Sequence, residues 1–385
     1  MVNILVVSDT FYPRMDGIIR FMTELNKNIS NNYNLKFLIP ELENSEYFIK
    51  KYNFNVEYCP TFNFSIAEFN PAKPVKKIIT DEINKADIIF VNTPGGPLGI
   101  SSIYRAKKLN KKVIGYAHTI DWELFPIFGD AFMLFNKKIN LTSKSISRIV
   151  NPILKRSYNK LDLILYPNEK IKKIYKDFGI KVNSKILSLG VDKKRFKKNY
   201  LDKLITKKEL NLSKEYIFGY HGRLSKEKNI ELLINSFKEI NKKYNNTKLL
   251  LMGDGPERKL IDDENIIFLG KVENPEKYLN IVDCYLLLSE TETSSLSLME
   301  VISMNIPFIT SKLDIIDKKI DKKNYTELNK SQLKPKIISK FMEEKMNNKF
   351  HTKFKSTLVK QQSEIKNWNQ IILKLEKIFD EIIKN

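Results

Sequence analysis

SETETSSLSLMEVIS, Ser289 to Ser303, is the stretch whose reading decides how the rest of the chain is understood. The apolar run Tyr285 to Leu288 before it reads as a buried parallel strand, and Leu296, Leu298, Met299, Val301 and Ile302 within it predict a buried helix. Strand, polar loop and helix start form the arrangement at which open α/β sheets bind ligands. Two carboxylates, Glu292 and Glu300, bracket the loop. On one continuous helix they would stand about 80° apart, so the reading puts Glu292 in the loop and Glu300 about one turn into the helix. The first-turn amides, with Ser294, Ser295 and Ser297 nearby, would then meet an anion at the positive end of the helix dipole. A leaving phosphate suits such a site. A structural reading stands beside it: Ser297-Leu-Met-Glu300 also matches a capping box, in which Glu300 only satisfies backbone donors.

The chain has 385 residues, the length of two ordinary domains, and its 42% hydrophobic content allows a sizeable core in each. Cys59 and Cys284 lie far apart with no CxxC, so neither a disulfide framework nor a zinc site is indicated. Three histidines, His118, His221 and His351, argue against a histidine metal cluster. MVNILVVSD carries no basic leader, and no apolar run approaches the roughly 18 residues of a membrane span, so a soluble cytoplasmic protein is expected. The formal charge of +21 invites an anionic partner. Only eight of the 66 basic residues are Arg, however, and the abundance of Lys, Asn and Ile points to base composition for part of the excess. No RRM, zinc-finger or basic-helix signature is present, so no nucleic-acid partner is expected.

Val2 to Val7 reads as a strand, Thr10 to Gly17 as a loop, and Ile18, Phe21, Met22, Leu25 and Ile29 recur at helical spacing. Gly17 allows close approach of a phosphate, or serves a mere turn. Strands follow at Leu35 to Ile39, Asn55 to Cys59, Asp87 to Val91, Lys112 to Tyr116 and Leu161 to Tyr166, with helical stretches between several of them. That alternation predicts a parallel sheet. PGGPLG (Pro94 to Gly99) and AHT (Ala117 to Thr119) lie just past strand ends, where His118 either touches substrate or is bonded locally. Between Ala131 and Lys160, apolar residues interleave with Lys137, Lys138, Lys144, Arg148, Lys155, Arg156 and Lys160 around Pro152. This stretch reads either as an anionic-membrane surface or as a helix with a solvated lysine face.

The domain changes near Val182, and a second strand series starts at Ile186 to Leu189. It continues at Tyr216 to Tyr220, Lys248 to Met252, Asn265 to Leu269, Tyr285 to Leu288 and Pro307 to Thr310. After Tyr220 comes HGRLSKEKNI, in which Arg223 and Lys228 flank a turn at a helix start and could clamp a diphosphate, Arg as a fork and Lys as a point charge. Gly253-Asp-Gly-Pro256 follows the next strand and opens another helix.

Taken in order, FYPRMDG, PGGPLG, AHT, KILSLGVDKKRF, GRLSKEKNI, LLLMGDGP and the two glutamates of ETSSLSLME resemble the retaining GT-B glycosyltransferases of family 4. PGGPLG and AHT resemble the members that act on lipid-linked acceptors. Asn367-Trp368 and the amphipathic run after it resemble the family's terminal helix, which returns to the first domain.

The resemblance implies two doubly wound, Rossmann-like domains facing across a cleft. The first would be 1–182, joined by a crossing helix at about 366–385, and the second, nucleotide-sugar domain would be 183–365. It implies that Arg223 and Lys228 bind the pyrophosphate, that Glu300 binds the ribose, and that Glu292 sits beside the transferred sugar. Backbone amides of Ser295 and Leu296 would complete the phosphate site, groups near Lys271 and Val272 would meet the base, Gly17 would approach the phosphate, and His118 would contact the sugar. No metal or cofactor need be bound, because Arg, Lys and helix N-termini can neutralise the diphosphate. The expected activity is transfer of a hexose from a UDP- or GDP-sugar to a lipid or lipid-linked glycan at the inner face of the cell membrane. A soluble glycan acceptor, a non-catalytic GT-B protein and a GT-B epimerase are the rivals. Ser294-Ser295 stands where the family often has Phe-Gly, and Asp16-Gly17 where it often has Gly-Gly. The chain has no glycine from Lys271 onward, which predicts an abbreviated or diverged outer part of the second domain after Thr310.

Overall fold

The computed structural model describes residues 1–14, 16–63, 70–123, 133–134, 137–138, 143–313, 325–347 and 365–384. The chain forms two compact units, Met1–Leu189 with Trp368–Asn385, and Gly190–Asn367.

The first unit is built on strands β1 (Val2–Val7), β2 (Tyr33–Pro40), β3 (Val56–Cys59), β4 (Ile88–Val91) and β5 (Lys112–Tyr116). A short antiparallel hairpin follows, β6 (Met133–Leu134) with β7 (Lys137–Lys138), and then β8 (Leu163–Tyr166) and β9 (Ser184–Ile186). Seven of these form one sheet in the order β3-β2-β1-β4-β5-β8-β9, parallel at every pairing. β4 and β8 are buried at every residue, which is why they read as unbroken apolar runs: helices cover both faces of a parallel sheet. Two expectations change. β9, at the place where a second strand series was to begin, pairs with β8 and closes the first sheet. Its three residues are only half-buried, so an edge strand of this kind leaves little apolar signature. In the basic stretch, Lys137 and Lys138 belong to the hairpin, and the helix is Ser143–Tyr158 with Pro152 inside it. The side chains of Lys137, Lys138 and Lys144 lie outside the described residues.

The C-terminal helix Trp368–Lys384 packs within this first unit. Phe379 meets the rings of Tyr33 and Phe90, and Trp368 meets Phe21. Tyr33 Oη donates to Asp380 Oδ1 at 2.6 Å, and the Ser30 amide donates to Glu376 Oε1 at 2.7 Å.

The second unit has β10 (Tyr216–His221), β11 (Thr247–Met252), β12 (Ile266–Phe268), β13 (Cys284–Leu287), β14 (Phe308–Ser311) and β15 (Tyr325–Leu328). Their order is β12-β11-β10-β13-β14-β15, again parallel throughout. The expectation of two doubly wound parallel sheets is met, one sheet in each unit. β15 has no counterpart in the sequence reading, because YTEL is a half-buried edge strand without an apolar run. Residues 314–324 of the region expected to be abbreviated lie outside the described residues. The helix expected after Gly253 is a short 3-10 segment, Pro256–Leu260.

Candidate active site

The second sheet adds strands in one direction from β10 through β11 to β12 and in the other from β13 onward. Open α/β sheets bind ligands outside the carboxyl ends of their strands at such a reversal. Because every pairing is parallel, the loops after β10, β11, β12 and β13 leave on one edge. They carry, in turn, Arg223 and Lys228, then Gly253 and Gly255, then Val272, and finally Glu292.

The two central loops are stitched together. Asn229, left-handed at φ 53° and a residue type that tolerates that conformation, donates from Nδ2 to the Leu288 carbonyl at 2.9 Å. The Glu290 amide donates to the Glu227 carbonyl at 2.9 Å. Between these anchors Lys228 Nζ lies 2.5 Å from Glu292 Oε1, and Ser289 Oγ donates to the same oxygen at 2.9 Å. Two of the residues singled out in the sequence are thus in direct contact.

Glu292 is in the loop, and the helix begins at Leu296 and ends at Ser303, so Glu300 stands one turn in. The capping box is not formed. Ser295, two residues before Ser297, is the N-cap: its Oγ accepts from the Leu298 amide at 3.3 Å and lies 3.0 Å from Ser297 Oγ. Glu300 is therefore past the capping positions, and its Oε2 lies 2.7 Å from Nε2 of His221, the last residue of β10. The Tyr285 hydroxyl donates to the His221 carbonyl at 3.0 Å and accepts from the His221 amide at 3.3 Å, fixing that strand end. Burial holds the Tyr285 phenol above its ordinary pKa, so it stays a donor. His221 went unmarked in the sequence although it opens the HGRLSKEKNI motif. A polar residue ending an apolar strand was the available signal.

Glycine is required where the loops touch. Gly253 has φ 131°, and a Cβ there would lie 1.8 Å from the Gly222 carbonyl oxygen. The Gly222 amide donates to Met252 O at 2.9 Å, and the Gly253 amide donates to Gly270 O at 2.7 Å, joining the ends of β10, β11 and β12. Arg223 follows immediately, half-buried, its carbonyl accepting from Tyr220 Oη at 2.7 Å. Val272 lies two residues past Gly270 and packs on the core of this unit.

In the first unit the strand order reverses between β1 and β4. Buried Asp9, after β1, accepts from the Leu98 and Gly99 amides at 2.8 and 2.9 Å and from Thr93 Oγ1 at 3.0 Å. It thereby anchors the start of the helix Pro97–Lys108. Burial raises its carboxyl to about 6. A Cβ at Gly95 would meet Asp121, one at Gly96 would meet Asp9, and one at Gly99 would meet the Thr93 carbonyl oxygen, which accounts for all three glycines of PGGPLG. His118 sits past β5 with Nε2 2.6 Å from Asn92 Oδ1, against Tyr116 and Phe21. Burial pushes its imidazole down to about 3, which keeps the ring neutral. Gly17 opens the helix Gly17–Asn28, and Asp16, where the family often has glycine, caps it by accepting from Ile18 and Ile19 amides at 3.0 and 3.1 Å. Of the site residues implied by the resemblance, Gly17 and His118 thus lie in the first unit, and Arg223, Lys228, Val272, Glu292, Ser295, Leu296 and Glu300 lie in the second.

Residues 15–195 match the family described as Glycosyltransferase Family 4, and residues 202–357 match Glycosyl transferases group 1. The chain belongs to the family 4 glycosyltransferases. This glycosyltransferase is 22% identical over 321 residues to an alpha-monoglucosyldiacylglycerol synthase of Streptococcus pneumoniae, a match covering 78% of this chain and 69% of that protein. It is 35% identical over 129 residues to the alpha-monoglucosyldiacylglycerol synthase of Acholeplasma laidlawii, over 31% of this chain and 32% of that one. Anabaena HepE, solved in complex with UDP and glucose, superposes with a TM-score of 0.75 at 12% identity, covering 99% of this chain and 100% of that one. That likeness identifies the fold of the glycosyltransferase as GT-B.

Proposed function

We propose that this glycosyltransferase moves a hexose from a nucleotide sugar to a membrane lipid with retention of anomeric configuration, glucose from UDP-glucose being the first pair to test. The observation that carries the reading is the constellation at the β10/β13 reversal: Lys228 on Glu292, Glu300 on His221, and a helix N-terminus at Ser295 and Leu296. Arg223, Lys228 and the first helix amides supply positive potential for a diphosphate, worth most as negative charge grows on the departing oxygen. Glu300, held by His221, accepts from ribose hydroxyls, and Glu292 lies beside the sugar. Backbone groups at Val272 border the base. The bond from the anomeric carbon to the diphosphate breaks, and the acceptor oxygen bonds to that carbon on the same face. The hydroxyl proton passes to the leaving phosphate. The protein's part is positioning and charge stabilisation, and no cofactor takes part. His118, a neutral ring at the first unit's strand ends, is assigned to substrate contact, and Gly17 to close approach at a helix start.

The names of the two diacylglycerol glucosylating relatives support the lipid acceptor, as do PGGPLG and AHT. Peripheral association with an anionic membrane is supported by the helix Ser143–Tyr158, where Ile149 is 61% and Ile153 46% exposed, one turn apart beside Arg148 and Arg156. Among the described residues no helix is long and apolar enough to cross a membrane.

The test is a donor panel. UDP- and GDP-hexoses are incubated with the protein and a total lipid extract, following nucleotide release and label in the organic phase. The expected result is lipid label from one donor. Nucleotide release without lipid label moves the acceptor to a soluble glycan, and no release from any donor overturns the reading.

A further inference from the structure

The helix Tyr200–Glu209 of the second unit is amphipathic in the reverse sense. Thr206 is its one buried residue, while Tyr200 is 73%, Leu201 67%, Leu204 49% and Ile205 52% exposed. At about 100° per residue these four side chains fill an arc of roughly 140°, centred opposite Thr206. A surface helix ordinarily turns its apolar stripe to the core, and here the polar residue faces in. The helix is nonetheless firmly seated: Asn199 Oδ1 accepts from the Leu201 amide at 3.0 Å, and the Asn199 amide donates to Asn280 Oδ1 at 2.8 Å. Single exposed leucines are ordinary, but a contiguous ridge of four large apolar side chains marks an interaction surface.

Charge selects the partner. Between Lys193 and Lys214 there are nine basic and only two acidic residues. Of the two acids, Glu209 is already paired with Lys277 at 2.7 Å. Exposed Lys208 lies within the apolar arc, and Lys197 precedes it. An apolar ridge with Lys208 within it, Lys203 and Lys207 along one flank, the paired Glu209 and Asp202 along the other, and a tyrosine at one end, is the chemistry of a helix lying in an anionic bilayer interface. A second copy of the same face would bury the exposed Lys208 of each against apolar side chains. We infer that the helix Tyr200–Glu209 is a docking surface for an anionic lipid leaflet, carried by the second unit and separate from the helix Ser143–Tyr158. The inference requires no particular donor or acceptor, so it survives a soluble acceptor.

The experiment uses the full chain and sedimentation with vesicles of phosphatidylcholine, with and without phosphatidylglycerol. Leu201→Ser, Leu204→Ser and Ile205→Ser combined should lower partition into the anionic vesicles by about tenfold or more. Melting temperature should be unchanged, since all three side chains are exposed. Lys203→Gln and Lys208→Gln should each lower it by roughly fivefold on anionic vesicles and leave the neutral vesicles unaffected. Cys59 and Cys284 are buried, so Leu204→Cys can be labelled selectively with a polarity-sensitive dye, whose emission should shift to the blue on adding anionic vesicles. Unchanged partition of the triple variant, or a dye that does not respond, overturns the inference. So does loss of binding through Ile149→Ser with Ile153→Ser while the triple variant still binds. A dimer dissolved by the triple substitution without change in vesicle binding overturns it in favour of self-association.

Discussion

Replacing Gly253 with alanine tests the loop architecture that positions Arg223. At φ 131° the backbone is in a region that residues with a Cβ rarely enter, a strain of about 1–3 kcal/mol. The added methyl would lie 1.8 Å from the Gly222 carbonyl oxygen and 2.9 Å from its carbon. Both are backbone atoms, so no rotamer change relieves the contact and the loops must separate, at about 1–3 kcal/mol for overpacking. Separation also strains the Gly222 to Met252 and Gly253 to Gly270 hydrogen bonds, each worth about 1 kcal/mol. With both bonds lost the sum is roughly 4–8 kcal/mol, which at roughly 2–4 °C per kcal/mol for a unit of this size lowers the melting temperature by roughly 8–32 °C. Calorimetry is the assay, because Trp122 and Trp368 both belong to the first unit and fluorescence would report on that unit alone. Gly270→Ala is the control: it has φ 64° but no atom within 4 Å of the new Cβ, so it bears only the left-handed penalty of about 1–2 kcal/mol. Gly253→Ala should also weaken nucleotide binding, since Gly222 adjoins Arg223. If Gly253→Ala melts no lower than Gly270→Ala, the reasoning from loop contact is wrong.

Lys228→Met should weaken nucleotide-sugar binding about tenfold or more, and Glu292→Gln should lower kcat with little change in donor affinity; equal effects on both parameters from the two variants would contradict the separate roles. His221→Leu frees the Glu300 carboxylate and should reduce donor affinity nearly as much as Glu300→Ala, with little further loss in the double variant. Calorimetric titration with the nucleotide measures this, and additive losses would mean that the two residues act separately. Asp9 binds its proton more tightly folded, at about 6, than in the unfolded chain, at about 3.8. Its contribution to stability is therefore greatest below about pH 4 and is lost as pH rises through 6. The stability of the native protein relative to Asp9→Asn should fall by about 2 kcal/mol from pH 4 to pH 7 in urea unfolding, and a flat difference would refute the assignment.

Central elements were legible in the sequence because burial on both faces leaves unbroken apolar runs, as in LLLM of β11 and LILY of β8. Glu292 and Glu300 could be placed on loop and helix because their spacing is incompatible with one helical face. β15 was not legible, and the strand read at Ile186 to Leu189 was two residues late and in the wrong sheet, since a short, mostly half-buried edge strand carries no such run. The capping-box alternative could be settled only in three dimensions: Ser295 and Ser297 are chemically alike, and which one starts the helix depends on where β13 delivers the chain. His221 was hidden for a related reason. Its partner is 79 residues away, and only the adjacency of β10 and β13 brings the two together. The outward apolar face of Tyr200–Glu209 is likewise invisible to periodicity, which finds the stripe but not the side on which the core lies.

The return of Trp368–Lys384 to the first unit sets an order of events during synthesis. Every residue of Gly190–Asn367 is synthesised, and emerges from the ribosome, before the helix Trp368–Lys384 of the first unit. The second unit can therefore finish folding while the first still lacks the partners of Tyr33, Phe90 and Phe21. Exposed apolar surface on the waiting half is the physical hazard of such an interval. A chain that stops short of Trp368 should consequently be defective in the half that was made first, leaving the half made last intact.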